Sequence, residues 1–222
     1  ETARGMVSDE HPLCLGYADP AMNETAQEFR NADVILLLGK RLDFRLNYGQ
    51  PPLFPTSAKL IQVDSSGANM GINRRADVEI VGDIDLVLEQ MVTSAKRHAW
   101  RELPWVEHLR HARRSHQERL RQMPRRTESG EVHPLTVCDE IAPFLDEDAV
   151  VVLDGGDFVH WARNSLKARK PGRWLRLGPM STLGCSIPFA IAAKLAHPEA
   201  RVVTIIGDGG FGFYGMEFDT AV

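Results

Sequence analysis

The fold class of this chain is decided by one stretch of sequence, Arg201-Val202-Val203-Thr204-Ile205-Ile206-Gly207-Asp208-Gly209-Gly210-Phe211-Gly212. Its first half is a short apolar run that ends at a glycine, which is typical of a strand buried in a parallel sheet. Its second half is rich in glycine, which lets the backbone turn tightly into a following helix. The stretch therefore predicts a strand, a turn and a helix, the repeating unit of α/β proteins.

Similar apolar runs recur along the chain and predict further strands at residues 33–38, 59–64, 78–83 and 149–153. Helical patterns lie between several of them, including one from Asp85 to His98. Strands that alternate with helices indicate layered α/β domains with parallel sheets. We predict two parallel-sheet, helix-flanked units, both incomplete, at residues 1–98 and 133–222.

Residues 99–132 differ in character, because arginine, histidine and glutamate are dense between Pro104 and Pro124. Since charges of opposite sign are interspersed, we interpret this segment as a solvated connecting helix and linker. The chain has a net charge of −4, which argues against a general nucleic-acid-binding protein. No nucleic-acid partner is expected.

Other features of the 222-residue chain exclude further classes. No segment approaches the roughly 20 consecutive apolar residues that span a bilayer, so we expect no membrane partner. Its cysteines, Cys14, Cys138 and Cys185, lie far apart and are interpreted as reduced thiols of a cytoplasmic protein. Because the chain begins without methionine and stops at Val222 inside a predicted helix, we expect it to be part of a longer protein.

The glycines of residues 207–212 also satisfy the dinucleotide fingerprint GxGxxG. Asp208 lies between the first two of these glycines, where its carboxylate would repel a directly bound pyrophosphate. A divalent cation between carboxylate and phosphate removes that conflict, and Mg²⁺ commonly binds in this way. The alternatives are a dinucleotide-binding dehydrogenase and a plain turn whose aspartate caps the helix.

A second acidic, glycine-rich loop, Asp154-Gly155-Gly156-Asp157, follows the predicted strand at 149–153. Loops after parallel strands meet at one edge of the sheet, where ligands bind. Two such loops favour a diphosphate bridged by a metal ion. Ordinary turn chemistry is the alternative for Asp154 and Asp157.

These residues resemble thiamine-diphosphate-dependent enzymes. Gly207-Asp208-Gly209 is similar to the opening of the family's cofactor motif, and residues 181–193 are similar to the segment that precedes it. Residues 5–13, 39–43, 61–64 and 80–83 resemble acetolactate synthases and their relatives. Residues 41–44 and 48–52 are most similar to the 2-hydroxyacyl-CoA lyase branch, and the resemblance covers nearly the whole chain.

The resemblance implies a central nucleotide-binding-type domain at residues 1–98 and a domain that binds thiamine diphosphate and Mg²⁺ at residues 133–222. Asp208 would be the metal ligand. Leu183 would lie under the cofactor and bend it, and the backbone carbonyl of Ser181 would accept from the pyrimidine amino group. The remaining cofactor contacts would come from the two glycine-rich loops, at Gly155, Gly156, Asp157, Gly207, Gly209, Gly210 and Phe211. A core position is the structural alternative for Leu183.

The predicted central domain has its own candidate nucleotide-binding residues, Gly39, Arg41, Asp43, Asp64 and Asp83. An acid at a strand end can accept from a ribose hydroxyl, and an arginine can bind a phosphate with two hydrogen bonds. The resembling enzymes hold FAD, ADP or nothing here, so neither ligand is assigned. The alternative is that Arg41 and Asp64 only stabilise loops.

The chain also departs from the family pattern. The second metal ligand, an asparagine, is expected beyond Val222, and the glutamate that relays protons is expected in an N-terminal domain, so no catalytic residue is assigned. Gly210 stands where many relatives have serine or alanine, and Cys185-Ser186 replaces the usual pair of glycines. This chain alone is therefore expected to be inactive.

The resemblance implies a full-length enzyme that cleaves or joins carbon–carbon bonds next to a carbonyl. Its substrate would be a 2-keto acid, as for an acetolactate synthase, or a 2-hydroxyacyl-CoA, as for the lyases. The cofactor site of this family lies between subunits, which implies a homodimer or homotetramer. The alternatives are an NAD(P)-dependent dehydrogenase and a non-catalytic homologue that only binds a nucleotide or a partner subunit.

Overall fold

The structure is a computed structural model that describes residues 3–101, 103–176, 178 and 182–222. The chain forms two compact units. One consists of Ala18–Arg114, and the other combines the described residues up to Tyr17 with Ser115–Val222. The predicted domain bounds 1–98, 99–132 and 133–222 stay a prediction, and packing groups the residues differently.

The unit Ala18–Arg114 is built on three parallel strands in the order β1-β2-β3. These strands are β1 (Val34–Leu38), β2 (Lys59–Asp64) and β3 (Val78–Val81). The helix α1 (Ile84–Ala95) follows β3, and 3₁₀ helices occupy Glu24–Asn31, Phe44–Gly49 and Gly67–Asn69.

The core of this unit lies on one face of the sheet, where Ile35, Leu37 and Leu60 pack with Phe54. The continuous apolar run of β1 predicted a strand buried on both faces, which is wrong for the described residues. Burial alternates along β1, and Val34 is 54% exposed. The reason is that successive side chains of a strand point to opposite faces of the sheet, and the core covers the face of β1 that carries Ile35 and Leu37.

The second unit has a parallel sheet in the order β5-β4-β6. The strands are β4 (Val150–Leu153), β5 (Trp174–Leu175) and β6 (Val202–Ile205). The helix α2 (Pro104–Gln122) begins in the first unit and continues into the second. It is followed by α3 (Pro134–Ile141), α4 (Asp157–Ser165), α5 (Ser186–Ala196) and α6 (Asp208–Tyr214). Shorter 3₁₀ helices lie at Ala142–Phe144 and Gly215–Phe218.

The central strand β4 holds this unit together, because every residue in it is buried. Val151 and Leu153 pack in one cluster with α3 and α4, whereas Val150 and Val152 pack with Ala193 of α5. A strand covered on both faces needs apolar residues at every position, which explains the continuous run of its sequence. The fold class of two parallel-sheet, helix-flanked units is confirmed.

The N-terminal segment packs on the second unit through Arg4, which the sequence did not indicate. The Arg4 guanidinium pairs with Asp9 Oδ2 at 2.8 Å and lies over the Trp174 ring at 4.0 Å. It also donates to the backbone carbonyls of Arg163 and Leu166 near the end of α4, both at 2.8 Å. A cation at a helix C-terminus is favourable because carbonyl groups are exposed there.

We expect Arg4→Ala to destabilise this unit by about 3 kcal/mol, because it removes the cation that is paired with a largely buried carboxylate. Both Arg4 and Asp9 side chains are only 10% exposed. Chemical denaturation of the full-length protein measures the loss. The matched control is Lys167→Ala, which removes an exposed pair with Glu10 in the same segment and should leave the denaturation midpoint unchanged. Equal midpoints for wild type and Arg4→Ala would contradict this account of the segment.

The connecting helix α2 begins at Pro104 and ends before Pro124, as the sequence predicted. Its residue His116 is buried against Asn164 of α4, and its Nε2 has no hydrogen-bond partner among the described residues. Burial lowers the pKa of His116 below its ordinary value, and the hydrogen bond to Asn164 offsets this only in part.

This burial makes the stability of the unit depend on pH. Because the pKa of His116 is lower in the folded chain than in the unfolded chain, its protonation favours unfolding. The associated stability is complete above about pH 6.5 and is lost as the pH falls below that value. We expect His116→Gln to flatten the decline of Tm on acidification, measured by thermal unfolding. His111→Gln, at an exposed position on the same helix, should retain the wild-type slope; a wild-type slope in His116→Gln would contradict the prediction.

Among the residues that the structure describes, none of the helices is both long enough and apolar enough to cross a bilayer.

Candidate functional site

Two glycine-rich loops lie side by side at the carboxyl edge of the second sheet. One follows β4 and the other follows β6, and these strands are adjacent and parallel. A third segment, the turn at residues 183–185 before α5, is joined to the first of these loops by hydrogen bonds to Asp154. This edge is where open parallel sheets bind ligands.

Asp154, the residue after β4, connects these segments. Its side chain is 2% exposed, and its Oδ1 accepts from the backbone N–H groups of Gly155 at 2.8 Å and Gly184 at 3.0 Å. Its Oδ2 accepts from Ser186 N at 3.1 Å. Burial alone would raise the pKa of this carboxyl, but the three amides outweigh burial and hold the pKa below its ordinary value.

Sequence reasoning did not place Asp154 in the candidate site. The feature of the sequence that could have indicated its role is an acidic residue directly after a fully apolar strand. That position places a charged side chain next to the hydrophobic core. Such a charge needs hydrogen-bond donors, and backbone N–H groups just before α4 and at the start of α5 supply them. The Asp154 side chain therefore accepts a local hydrogen bond, from Gly155 N, as the turn alternative predicted. It also accepts one from Ser186 N, which lies 32 residues further along the chain.

Gly155 and Leu183 are in close contact. A Cβ atom added to Gly155 would lie 2.6 Å from Leu183 Cδ2. Leu183 is nevertheless 42% exposed, so within the described residues it is not a core leucine. An apolar side chain that stands beside the glycine loop and faces outward fits the position predicted for a residue under the cofactor. That role stays a prediction.

Gly156 and Asp157 begin α4. Gly156 is the N-cap at φ +98°, and a Cβ added there would meet nothing within 4 Å. Asp157 is exposed and its Oδ2 accepts from Trp161 Nε1 at 3.3 Å. The backbone at Gly156 therefore has open space beside a helix N-terminus, as a phosphate-binding loop requires.

The loop after β6 is open at some glycines and crowded at another. A Cβ added at Gly207 or Gly209 would meet nothing within 4 Å, whereas one at Gly210 would lie 2.9 Å from Asp154 Oδ1. The open positions allow a ligand to approach the backbone closely. Phe211 is 46% exposed, with its ring 5.8 Å from that of Phe218.

Asp208 is the first residue of α6, and the N-cap is Gly207, which makes no side-chain cap. The carboxylate of Asp208 is exposed and accepts from Gly209 N at 2.8 Å. The alternative in which Asp208 is the helix cap therefore does not describe the structure. An exposed carboxylate beside an open glycine backbone is the arrangement that a phosphate-bound cation needs.

The described residues contain no cluster of three or more histidine, cysteine, aspartate or glutamate side chains that could hold a metal ion. Within them, the predicted magnesium site depends on Asp208 alone. The predicted acceptor carbonyl of Ser181 lies outside the described residues.

In the first unit, two of the candidate nucleotide-binding residues share a partner. Asp64 is buried, and its Oδ1 accepts from Asn69 Nδ2 at 3.0 Å and from Ser66 N at 2.9 Å. These hydrogen bonds, that of Asn69 first, lower the pKa of Asp64. Arg41 donates to Asn69 Oδ1 at 2.8 Å. Both side chains therefore stabilise the loop after β2.

The other three candidates also have structural roles. Asp43 caps the 3₁₀ helix Phe44–Gly49 and pairs with Lys40 at 2.6 Å. Asp83 caps α1, and Gly39 has φ +60° with Ile84 Cδ1 2.7 Å from an added Cβ. A nucleotide-binding role for any of the five candidates stays a prediction.

The second unit thus has the site of a phosphate-binding α/β protein, with two glycine loops and two helix N-termini at one edge of a parallel sheet. Two protein-family models match the chain. The thiamine pyrophosphate enzyme central domain matches residues 2–91, and the thiamine pyrophosphate enzyme C-terminal TPP binding domain matches residues 154–222. The chain belongs to the family of thiamine-diphosphate (thiamine pyrophosphate) enzymes, as its motifs predicted.

Similar proteins include lyases and synthases. The chain is 33% identical over 224 residues to 2-hydroxyacyl-CoA lyase 2 of Homo sapiens, and this match covers 99% of the chain and 34% of that relative. It is 34% identical over 227 residues to acetolactate synthase large subunit IlvG of Mycobacterium tuberculosis, and this match covers 99% of the chain and 38% of that relative. It is 32% identical over 224 residues to 2-hydroxyacyl-CoA lyase 1 of Mus musculus, and this match covers 98% of the chain and 37% of that relative.

The chain therefore spans little more than a third of the length of these curated relatives. The glycine loop at residues 207–212 lies inside the match to the TPP binding domain. The comparisons support the thiamine-diphosphate interpretation of this loop and give no support to the dehydrogenase alternative.

Proposed function

We propose that the full-length protein is a thiamine-diphosphate-dependent enzyme that cleaves or joins carbon–carbon bonds next to a carbonyl. The observation that carries the proposal is the pair of glycine loops on adjacent strands β4 and β6, open at Gly156, Gly207 and Gly209. The family match of this part of the chain adds the identity of the cofactor.

The residues present fit such a cofactor. Open backbone at Gly207 and Gly209 leaves room for a diphosphate, and Asp208 offers a carboxylate to a Mg²⁺ ion on it. Gly156 and Asp157 offer a second helix N-terminus. Leu183 stands exposed beside Gly155, where its apolar side chain would orient the cofactor and exclude water. The bound cofactor would supply the electron sink for carbanion chemistry.

Two substrate classes follow from the relatives, whose names include 2-hydroxyacyl-CoA lyases and acetolactate synthases. We propose a 2-hydroxyacyl-CoA or a 2-keto acid as the substrate and leave the choice to experiment. We assign neither FAD nor ADP to the first unit, because Arg41 and Asp64 already bind Asn69.

The test is turnover by the full-length protein with each substrate class, with and without thiamine diphosphate and Mg²⁺. We expect product from one class only when both are present. Turnover without the cofactor would overturn the proposal, and cofactor binding without turnover on either class would favour a non-catalytic homologue. The 222-residue chain alone should be inert.

The proposal includes a homodimer or homotetramer and a cytoplasmic location. Cys14, Cys138 and Cys185 are all present as thiols and not as disulfides, which suits a reducing compartment. Sedimentation of the full-length protein at micromolar concentration tests the assembly, and a fully active monomer would count against it.

A further inference from the structure

Asp154 lies at the end of the most buried strand of the second sheet. It directly follows the fully buried strand β4, and its backbone N–H donates to Ile205 O of β6 at 3.0 Å. A side chain that leaves such a position has little freedom to move. The carboxylate can therefore serve as a fixed reference for the loops around it.

That carboxylate contacts segments that are distant in sequence. Its amide partners belong to the loop after β4, to the turn at Gly184 and to the first residue of α5, Ser186. Hydrogen bonds from N–H groups to an ionised carboxylate are about twice as strong as neutral ones. Since Gly155 and Leu183 flank the same loop and turn, these bonds set the position of the cofactor-facing groups.

The helix α6 packs against the same carboxylate through Gly210. A Cβ added at Gly210 would lie 2.9 Å from both Asp154 Oδ1 and Ile206 Cγ1. One added at Gly212, on the same helix, would meet nothing within 4 Å. The carboxylate and the Ile206 side chain together therefore leave no room for a side chain at residue 210.

We propose that Asp154 is the positioning residue of the diphosphate site. It holds the Gly155 loop, the Gly184 turn and the start of α6 in their relative places, and it contributes with Ile206 to the need for glycine at position 210. This inference rests on the proposed function only for the identity of the ligand. The geometry of Asp154 itself is independent of any cofactor.

The first test uses the cofactor-free full-length protein. Asp154→Asn keeps the size of the side chain but turns a donor toward a backbone N–H. We expect hydrogen exchange at the Gly184 and Ser186 amides to become at least about 10-fold faster, whereas the amide of Val151 keeps its wild-type rate. Unchanged exchange at Gly184 and Ser186 would overturn the proposal. An equal increase at Val151 would also overturn it, because it would show general destabilisation.

The second test is thiamine diphosphate binding with Mg²⁺, measured by calorimetry on the same proteins. We expect Asp154→Asn to raise the Kd about 10- to 100-fold, the range seen when groups that orient a metal site are removed. The KM for the cofactor should rise equally, while kcat at saturating cofactor stays within about 3-fold. A retained Kd would overturn the proposal. Failure of the wild type to bind would instead overturn the proposed function, and the exchange result would still stand.

The third test is a double-mutant cycle between positions 154 and 210. Gly210→Ala should weaken cofactor binding more in the wild type than in Asp154→Ala, with a coupling of about 5-fold or more. Gly212→Ala is the matched control and should show no coupling to Asp154. If Asp154→Ala does not fold, Asp154→Ser takes its place in the cycle. Additive effects at positions 154 and 210 would overturn the claim about glycine at 210.

Discussion

Asp208→Ala in the full-length protein is expected to weaken thiamine diphosphate binding in Mg²⁺ by at least about 100-fold. Removal of groups that only orient metal ligands already costs about 10- to 100-fold, and Asp208 is the proposed ligand itself. Its carboxylate is exposed at the start of α6, beside glycines that leave room for a diphosphate. Calorimetric titration of the cofactor into wild type and variant measures the difference.

The matched control is Asp146→Ala. Asp146 is exposed in the same unit and its Oδ1 accepts from a nearby backbone amide, that of Asp148 at 3.0 Å. This substitution removes a comparable turn contact before the amino end of β4, whereas the glycine loop follows the carboxyl end of that strand, and it should leave the Kd unchanged. A Kd for Asp208→Ala within a few-fold of wild type would remove Asp208 from the metal site.

The second large effect is expected at Gly184, where alanine should destabilise the protein by roughly 2–6 kcal/mol. Gly184 has φ +86°, and an added Cβ would lie 2.5 Å from Tyr214 Cδ2 and 2.9 Å from Gly210 O. The left-handed backbone costs about 1–3 kcal/mol and the crowding a similar amount. Chemical denaturation monitored by circular dichroism measures the loss.

An alanine substitution at Gly130 distinguishes the cost of the backbone conformation from the cost of crowding. Its φ is +88°, nearly that of Gly184, but an added Cβ there would meet nothing within 4 Å. Gly130→Ala should therefore show only the cost of the backbone conformation, about 1–3 kcal/mol. Equal losses for the two variants would mean that the contacts of α6 with the Gly184 turn do not matter for stability.

The sheets were largely predictable from sequence because their strands carry uninterrupted apolar runs. The strand predicted at 59–64 matches the observed bounds. The strand predicted at 78–83 is two residues longer than β3, and that at 149–153 is one residue longer than β4. The strand β5 was not predicted, since two residues, Trp174 and Leu175, give no periodic pattern. Its position depends on pairing with β4, which is a long-range contact.

The candidate site was predictable only in part. Glycine at open positions such as Gly207 and Gly209 is visible in the sequence, because the motif marks it. The connection of the loops through Asp154 is not visible, since its partner Ser186 lies 32 residues away. Local pattern also cannot distinguish an aspartate that binds a ligand from one that caps a helix, and Asp83 is such a cap.

The most direct test of the central claim is calorimetric titration of thiamine diphosphate into the full-length wild-type protein, once with Mg²⁺ and once with EDTA. We predict saturable binding with Mg²⁺ and its loss in EDTA, because the carboxylate of Asp208 needs a cation between itself and the diphosphate. Binding that is equally tight in EDTA, or no binding under either condition, would contradict the account.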